Sequence, residues 1–128
     1  MVTAEPGEAG ESQIVEEKVA EWKKVQIMLN QENTEKCRRI LNRYGYRPQM
    51  LMVIEECSEL QKAACKLLRK STSATLTNDD TPPLRNFREE VVDVIVMATQ
   101  AVLMANLSIE EINAMAQAKL DRVLKKAE

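Results

Sequence analysis

The chain has 128 residues, 30% of them charged and 45% hydrophobic, with a formal net charge of −2 and 3% aromatics. That length predicts a single domain with its own core, and the near balance of charge argues against dedicated nucleic-acid binding. No histidine is present, which removes Ser-His-Asp and Cys-His catalysis, His-ligated zinc and the Glu-x-x-His ligands of di-iron bundles.

Of the three glycines, Gly7 and Gly10 lie in a polar N-terminal stretch, and Gly45 alone cannot build a P-loop or a GxGxxG turn. Phosphate chemistry in this chain would therefore rest on carboxylates, metal ions and Lys or Arg. No run approaches the ~18 apolar residues of a membrane span, and no charged-then-apolar leader opens the sequence. The expected address is cytoplasmic, with no membrane partner. Cys37, Cys57 and Cys65 are odd in number, form no CxxC pair and fall within helical patterns. They read as free, mostly buried thiols.

Residues 1–12 carry Pro, two Gly and three Glu with little to bury, and read as a flexible tail ahead of a single helical domain, 13–128. Val15, Val19, Trp22, Gln26 and Leu29 recur at helical spacing. The polar patch Asn30 to Lys36 breaks this pattern, with Thr34 as a candidate N-cap and Cys37, Ile40 and Leu41 as a second apolar stripe. Gly45 stops that helix, and Tyr46-Arg47-Pro48 reads as a turn with Pro48 opening the next helix, 48–70. Residues 71–83, STSATLTNDDTPP, form the long internal loop. A helix over 84–106 follows. Ser108 and Glu111 have the spacing of a capping box, so a last helix is predicted over 108–126. No strand alternation or internal repeat is present. The expected fold is all-α, a bundle of four to five helices.

Two acidic patches stand out against this pattern. On helix 48–70, Gln49, Met52, Val53, Leu60, Ala63 and Leu67 all lie within about 60° of Glu56. Glu56 thus sits centrally on the apolar stripe, Glu59 projects from the same side one turn later, and Glu55 flanks them. From Val91 to Ile109 the only charged residue is Asp93, with Glu90 one turn before it and Glu89 adjacent. That helix is apolar nearly all round and is predicted to be central. A charge centred on a buried face costs several kcal/mol unless paired or metal-bound. If both i,i+3 pairs point inward and face each other, four carboxylates converge and demand a cation. All-oxygen ligation without His or Cys favours Mg2+, with Mn2+ also suited. The competing expectation is structural ion pairing with Lys62, Lys66, Arg85 or Arg88.

Glu55-Glu56-Cys57-Ser58-Glu59 followed by Glu90-Val91-Val92-Asp93 resembles the EExxE…ExxD signature of the all-α nucleoside triphosphate pyrophosphohydrolases, the MazG-like group. Gln49, six residues before Glu55, and the run Lys119-Leu120-Asp121-Arg122 extend the resemblance over roughly residues 37–125. One departure is the 30-residue separation of Glu59 from Glu90, long for that family, with the extra length in the 71–83 loop.

The resemblance implies hydrolysis of a (deoxy)nucleoside triphosphate between the α and β phosphates, in nucleotide-pool house-cleaning. It assigns Glu56, Glu59, Glu90 and Asp93 to Mg2+, and Glu55 to orienting or deprotonating the attacking water. Lys119 and Arg122 would bind phosphates or serve as end-of-helix charges. Lys66 lies on the Glu59 side of its helix and suits the same task. Gln49 would read a base edge or simply begin its helix, and Trp22 would stack on a base or fill the core. The family forms dimers, or tetramers of dimers, so a homodimer or homotetramer completing the bundle is expected. Two other readings remain open from sequence: phosphoribosyl-ATP pyrophosphatase, which shares the fold and acidic logic, and a non-catalytic helical interaction module with ion-paired carboxylates.

Overall fold

The computed structural model describes residues 16–18, 30–70 and 80–128. The expected tail 1–12, Trp22, the stripe residues Val15, Val19, Gln26 and Leu29, and loop positions 71–79 lie outside the described residues. Residues 16–18 are helical. Four longer helices follow: α1 Gln31–Tyr44, α2 Tyr46–Lys70, α3 Pro82–Met104 and α4 Ile109–Ala127. The all-α expectation holds.

The helix ends show why these residues form these elements. Asn30, not Thr34, caps α1: its side-chain oxygen accepts the Asn33 N–H at 2.8 Å. The polar residues read as a break become the exposed first turns of α1, where Glu32–Lys36 and Glu35–Arg38 ion pairs form at 3.2 and 3.0 Å. Gly45 ends α1 with φ +90°, and its N–H reaches the Leu41 carbonyl at 2.8 Å. It is the single residue between α1 and α2. The turn expected at Tyr46-Arg47-Pro48 is instead the first turn of α2, where a proline leaves no intrahelical bond unmade.

Thr81 caps α3 by accepting the Leu84 N–H at 3.4 Å, so Pro82 and Pro83 belong to the helix rather than to the loop. Its C-terminus is a Schellman turn: Asn106 N–H bonds to the Leu103 carbonyl and Leu107 N–H to the Val102 carbonyl, both at 3.2 Å. Asn106 takes the left-handed conformation this requires, with φ +53°. The capping box at Ser108 forms in both directions, with bonds of 3.1 and 3.3 Å to Glu111.

α2 and α3 make the principal packed pair, and α1 lies against both. Cys37, Ala63, Leu84 and Met97 are the buried apolar side chains among the described residues. Beside them Gln49, Thr99 and Gln100 are also buried. The Gln100 side-chain amide donates to the Cys37 carbonyl at 3.0 Å and ties α3 to α1, while the Thr99 hydroxyl donates to the Ile95 carbonyl at 2.9 Å within α3. α3 packs against both α1 and α2, as each of those does against the other two. Its apolar surface is not covered all round, however, and Val92 and Ile95 are exposed. The expectation of mostly buried thiols is corrected too: Cys37 is buried, and Cys57 and Cys65 are exposed on α2. Burial pushes the Cys37 thiol above its ordinary value, against an opposing hydrogen bond from Gln100.

Among the described residues, α4 stands apart from the other three helices. The chain bends by 118° between α3 and α4. No Cα of α4 comes within 8 Å of a Cα in α1, α2 or α3, and none of its residues is buried. The Schellman turn and the capping box fix the direction in which α4 leaves α3. No single helix among the described residues is long and apolar enough to cross a membrane.

Candidate metal centre

Glu56 is carried by the α2 stripe that packs on α3, and Glu90 and Asp93 stand one turn apart on α3. Helix packing brings the three together: each offers a carboxylate oxygen, and these oxygens all lie within 4.8 Å of one another. Glu56 and Glu90 are half-buried and Asp93 is exposed at the rim. Octahedral Mg2+, with bonds of ~2.1 Å, spaces its ligand oxygens about 3–4 Å apart, so small side-chain rotations suffice to close this set on a hard cation.

The electrostatics are those of uncompensated negative charge. Desolvation pushes the Glu56 carboxyl above its ordinary value, reinforced by Asp93, Glu90, Glu55 and Glu59. Glu90 is raised in the same way, by desolvation first and then by Asp93, Glu59 and Glu89. One Glu90 oxygen, Oε2, is buried and accepts no hydrogen bond. None of the competing structural ion pairs is present among the described residues. Arg85 pairs with Asp80 at 2.9 Å, and Lys62, Lys66 and Arg88 pair with none of these carboxylates.

The four-carboxylate expectation is met by three. Glu59 contributes to the local field but is exposed and stands outside the converging group, so the two i,i+3 pairs do not both point inward. Glu55 is exposed beside Glu56. Lys66 is exposed on α2, seven residues beyond Glu59 and so about 10.5 Å along the helix. Lys119 and Arg122 ride on α4, away from α2 and α3 in this chain. Gln49 is buried at the start of α2.

Two buried polar residues, Thr99 and Gln100, are absent from the sequence-based set. Gln100 is 1% exposed, and its Oε1 has no hydrogen-bond partner. The available signal was a lone amide inside an apolar run, seven residues after Asp93 and hence on the same stripe.

Against known proteins, the chain matches no protein-family model, no curated protein and no solved structure.

Proposed function

We propose that the chain is a Mg2+-dependent hydrolase that converts a (deoxy)nucleoside triphosphate to the monophosphate and pyrophosphate. The observation that carries this reading is the convergence of Glu56, Glu90 and Asp93 without an ion-paired Lys or Arg among the described residues. The donor set fits a hard divalent cation: all ligands are oxygens, and the buried Glu90 Oε2 is an acceptor with nothing to accept from. The motif order, Glu55 to Glu59 and then Glu90 to Asp93, supports the same family of reactions through its resemblance to MazG-like enzymes.

In this reading Glu56, Glu90 and Asp93 hold the ion, with Glu59 as an outer contributor to the field. A bound Mg2+ supplies charge neutralisation to the phosphates and a lowered pKa to the attacking water. Glu55, exposed next to Glu56, orients that water or takes its proton. Phosphate oxygens left unneutralised need cations. Of the three cations assigned to phosphate, Lys66 lies nearest in sequence to the site, while Lys119 and Arg122 serve only if α4 swings in or a second copy brings its own. A homo-oligomer belongs to the proposal for that reason. House-cleaning of the nucleotide pool is the corresponding cellular task.

The test is a panel of NTPs and dNTPs with Mg2+ or Mn2+, with pyrophosphate and monophosphate measured separately. Metal-dependent release of both products in equal amounts supports the reading. Orthophosphate as the first product points to a different bond, and no turnover of any nucleotide contradicts the proposal. The interaction-module alternative requires ion-paired carboxylates, and the described residues contain no such pairs at Glu56, Glu90 or Asp93.

A further inference from the structure

A local charge asymmetry surrounds Gly45. From Lys36 to Ile54 the sequence holds Lys36, Arg38, Arg39, Arg43 and Arg47 and no acidic residue, in a chain of net charge −2. Both tyrosines of the chain, Tyr44 and Tyr46, flank that glycine and are 61% and 60% exposed. Two aromatic rings left in water at one junction mark a contact surface.

The cations there are short of partners. Lys36 pairs with Glu32 and Arg38 with Glu35, whereas Arg39, Arg43 and Arg47 have no acidic partner among the described residues. Arg43 suits the last turn of α1, where a cation complements the helix dipole. Arg47 does not, because it lies in the first turn of α2, where the dipole opposes it and no acid compensates. Two grooves open on these residues. Lys36, Arg39, Ile40, Arg43 and Tyr44 line one of 480 Å3 along a single face of α1. Tyr46, Arg47, Met50 and Leu51 line another of 330 Å3 at the start of α2. Both fall within the ~300–1,000 Å3 that accepts a small ligand, so each has room for a nucleobase and its sugar.

The side-chain chemistry selects among polyanions. Guanidinium forks grip phosphate oxygens, and a tyrosine ring offers its face to an unpaired base. A lipid headgroup or an acidic peptide uses the charge but leaves the rings idle, and a duplex keeps its bases stacked on one another. We propose that the Tyr44–Gly45–Tyr46 junction, with Arg39, Arg43 and Arg47, binds single-stranded nucleic acid. The arginines hold phosphates and the two rings stack on bases. The balanced total charge argues against a chain dedicated to nucleic acid, but it averages over this wholly basic segment. The surface is separate from the carboxylate centre: Arg47 precedes Glu56 by nine residues, about 13.5 Å along α2 and half a turn around it. It stands whether or not that centre holds a cation.

The test titrates the full chain, in chelator, into a fluorescently labelled oligothymidylate of about 12 nucleotides and follows anisotropy. Affinity should fall with salt on a log–log slope of about −2, the value for about three phosphate contacts on a single strand. Arg43→Gln should weaken binding several-fold and make that slope shallower by about 0.7. Tyr44→Leu and Tyr46→Leu should each weaken it about tenfold, whereas Tyr44→Phe and Tyr46→Phe should stay within about twofold, because the ring carries the stacking. Arg69→Gln, at the far end of α2, should change nothing, and circular dichroism should show the helices persisting in every variant. A parent chain that does not bind, equal affinity for the oligomer annealed to its complement, or parental affinity in both Leu variants overturns the proposal. So does displacement by thymidine monophosphate at equal nucleotide concentration, which shows a mononucleotide pocket. Binding to phosphatidylserine vesicles without binding to the oligomer shows a lipid surface and overturns it as well.

Discussion

Gln100 reaches the carbonyl of Cys37 across 63 positions of sequence, with its side-chain nitrogen 3.0 Å from that oxygen. This bond fastens α1 to the packed pair α2–α3, and the other end of the same amide, Oε1, is buried without a partner. An unsatisfied buried acceptor costs about 1–3 kcal/mol, while a single net hydrogen bond returns about 1 kcal/mol. Gln100→Leu, which removes both and keeps the volume, is therefore expected to change stability by less than about 1 kcal/mol. Gln100→Ala opens a cavity as well and is expected to cost about 2–3 kcal/mol. Urea unfolding of the two variants checks this, and equal midpoints would show that the packing of Gln100 does not matter.

Glu56 and Glu90 give the apo protein a pH dependence of definite sign. Their folded-state values lie above the ordinary 4.5, so between that value and the raised ones the native state binds more protons than the unfolded chain. Stability is full below the ordinary carboxylate range and falls as pH rises through the raised values. Thermal unfolding in chelator should show Tm declining over that window, and Mg2+ should restore it at neutral pH. A Tm that rises with pH across the window in chelator would mean that these carboxylates are not held up by burial and one another.

Glu56→Gln and Asp93→Asn separate a metal centre from a structural cluster. Each removes a negative charge from a repelling group, so the apo fold is expected to gain or hold stability. Each should also lower kcat/KM for pyrophosphate release at least ~100-fold, the loss expected when a ligand to an ion supplying several kcal/mol of transition-state stabilisation is removed. Product assays paired with thermal melts make the comparison. Near-wild-type turnover in both variants would take these residues out of the mechanism.

Gly45 offers a clean backbone experiment. Its φ of +90° and ψ of 166° lie where L side chains are strained, yet a Cβ built there meets nothing within 4 Å. Gly45→Ala is expected to cost about 1–3 kcal/mol from conformation alone. An unchanged unfolding midpoint would show that the α1–α2 junction is free to adopt another path.

Much of this architecture can be read from the chain, and the exceptions have physical causes. The stripe around Glu56 and the lone Asp93 identify two facing surfaces because helical period and burial act locally. The capping box at Ser108 is legible for the same reason. Asn30 displaces Thr34 as a cap because a helix start is decided by competition among several polar residues, all of which qualify in isolation. Glu59 escapes the converging set because i,i+3 spacing fixes a side of the helix only to within tens of degrees, and packing of α2 on α3 decides which carboxylate turns in. The direction of α4 depends on Asn106 adopting a left-handed conformation, which composition permits but does not dictate. Gln100 carries no charge, so it attracts attention only once its burial is known.

The central claim is that Glu56, Glu90 and Asp93 form one cation site, and Mn2+ binding followed by electron paramagnetic resonance addresses it without reference to any substrate. Titrated with the full chain at neutral pH, free Mn2+ should lose signal to a saturable site, one per chain, that Mg2+ displaces. The site should vanish in both Glu56→Gln and Asp93→Asn and survive in Lys66→Ala. A free-ion signal equally insensitive to the parent chain and to these variants would contradict the account.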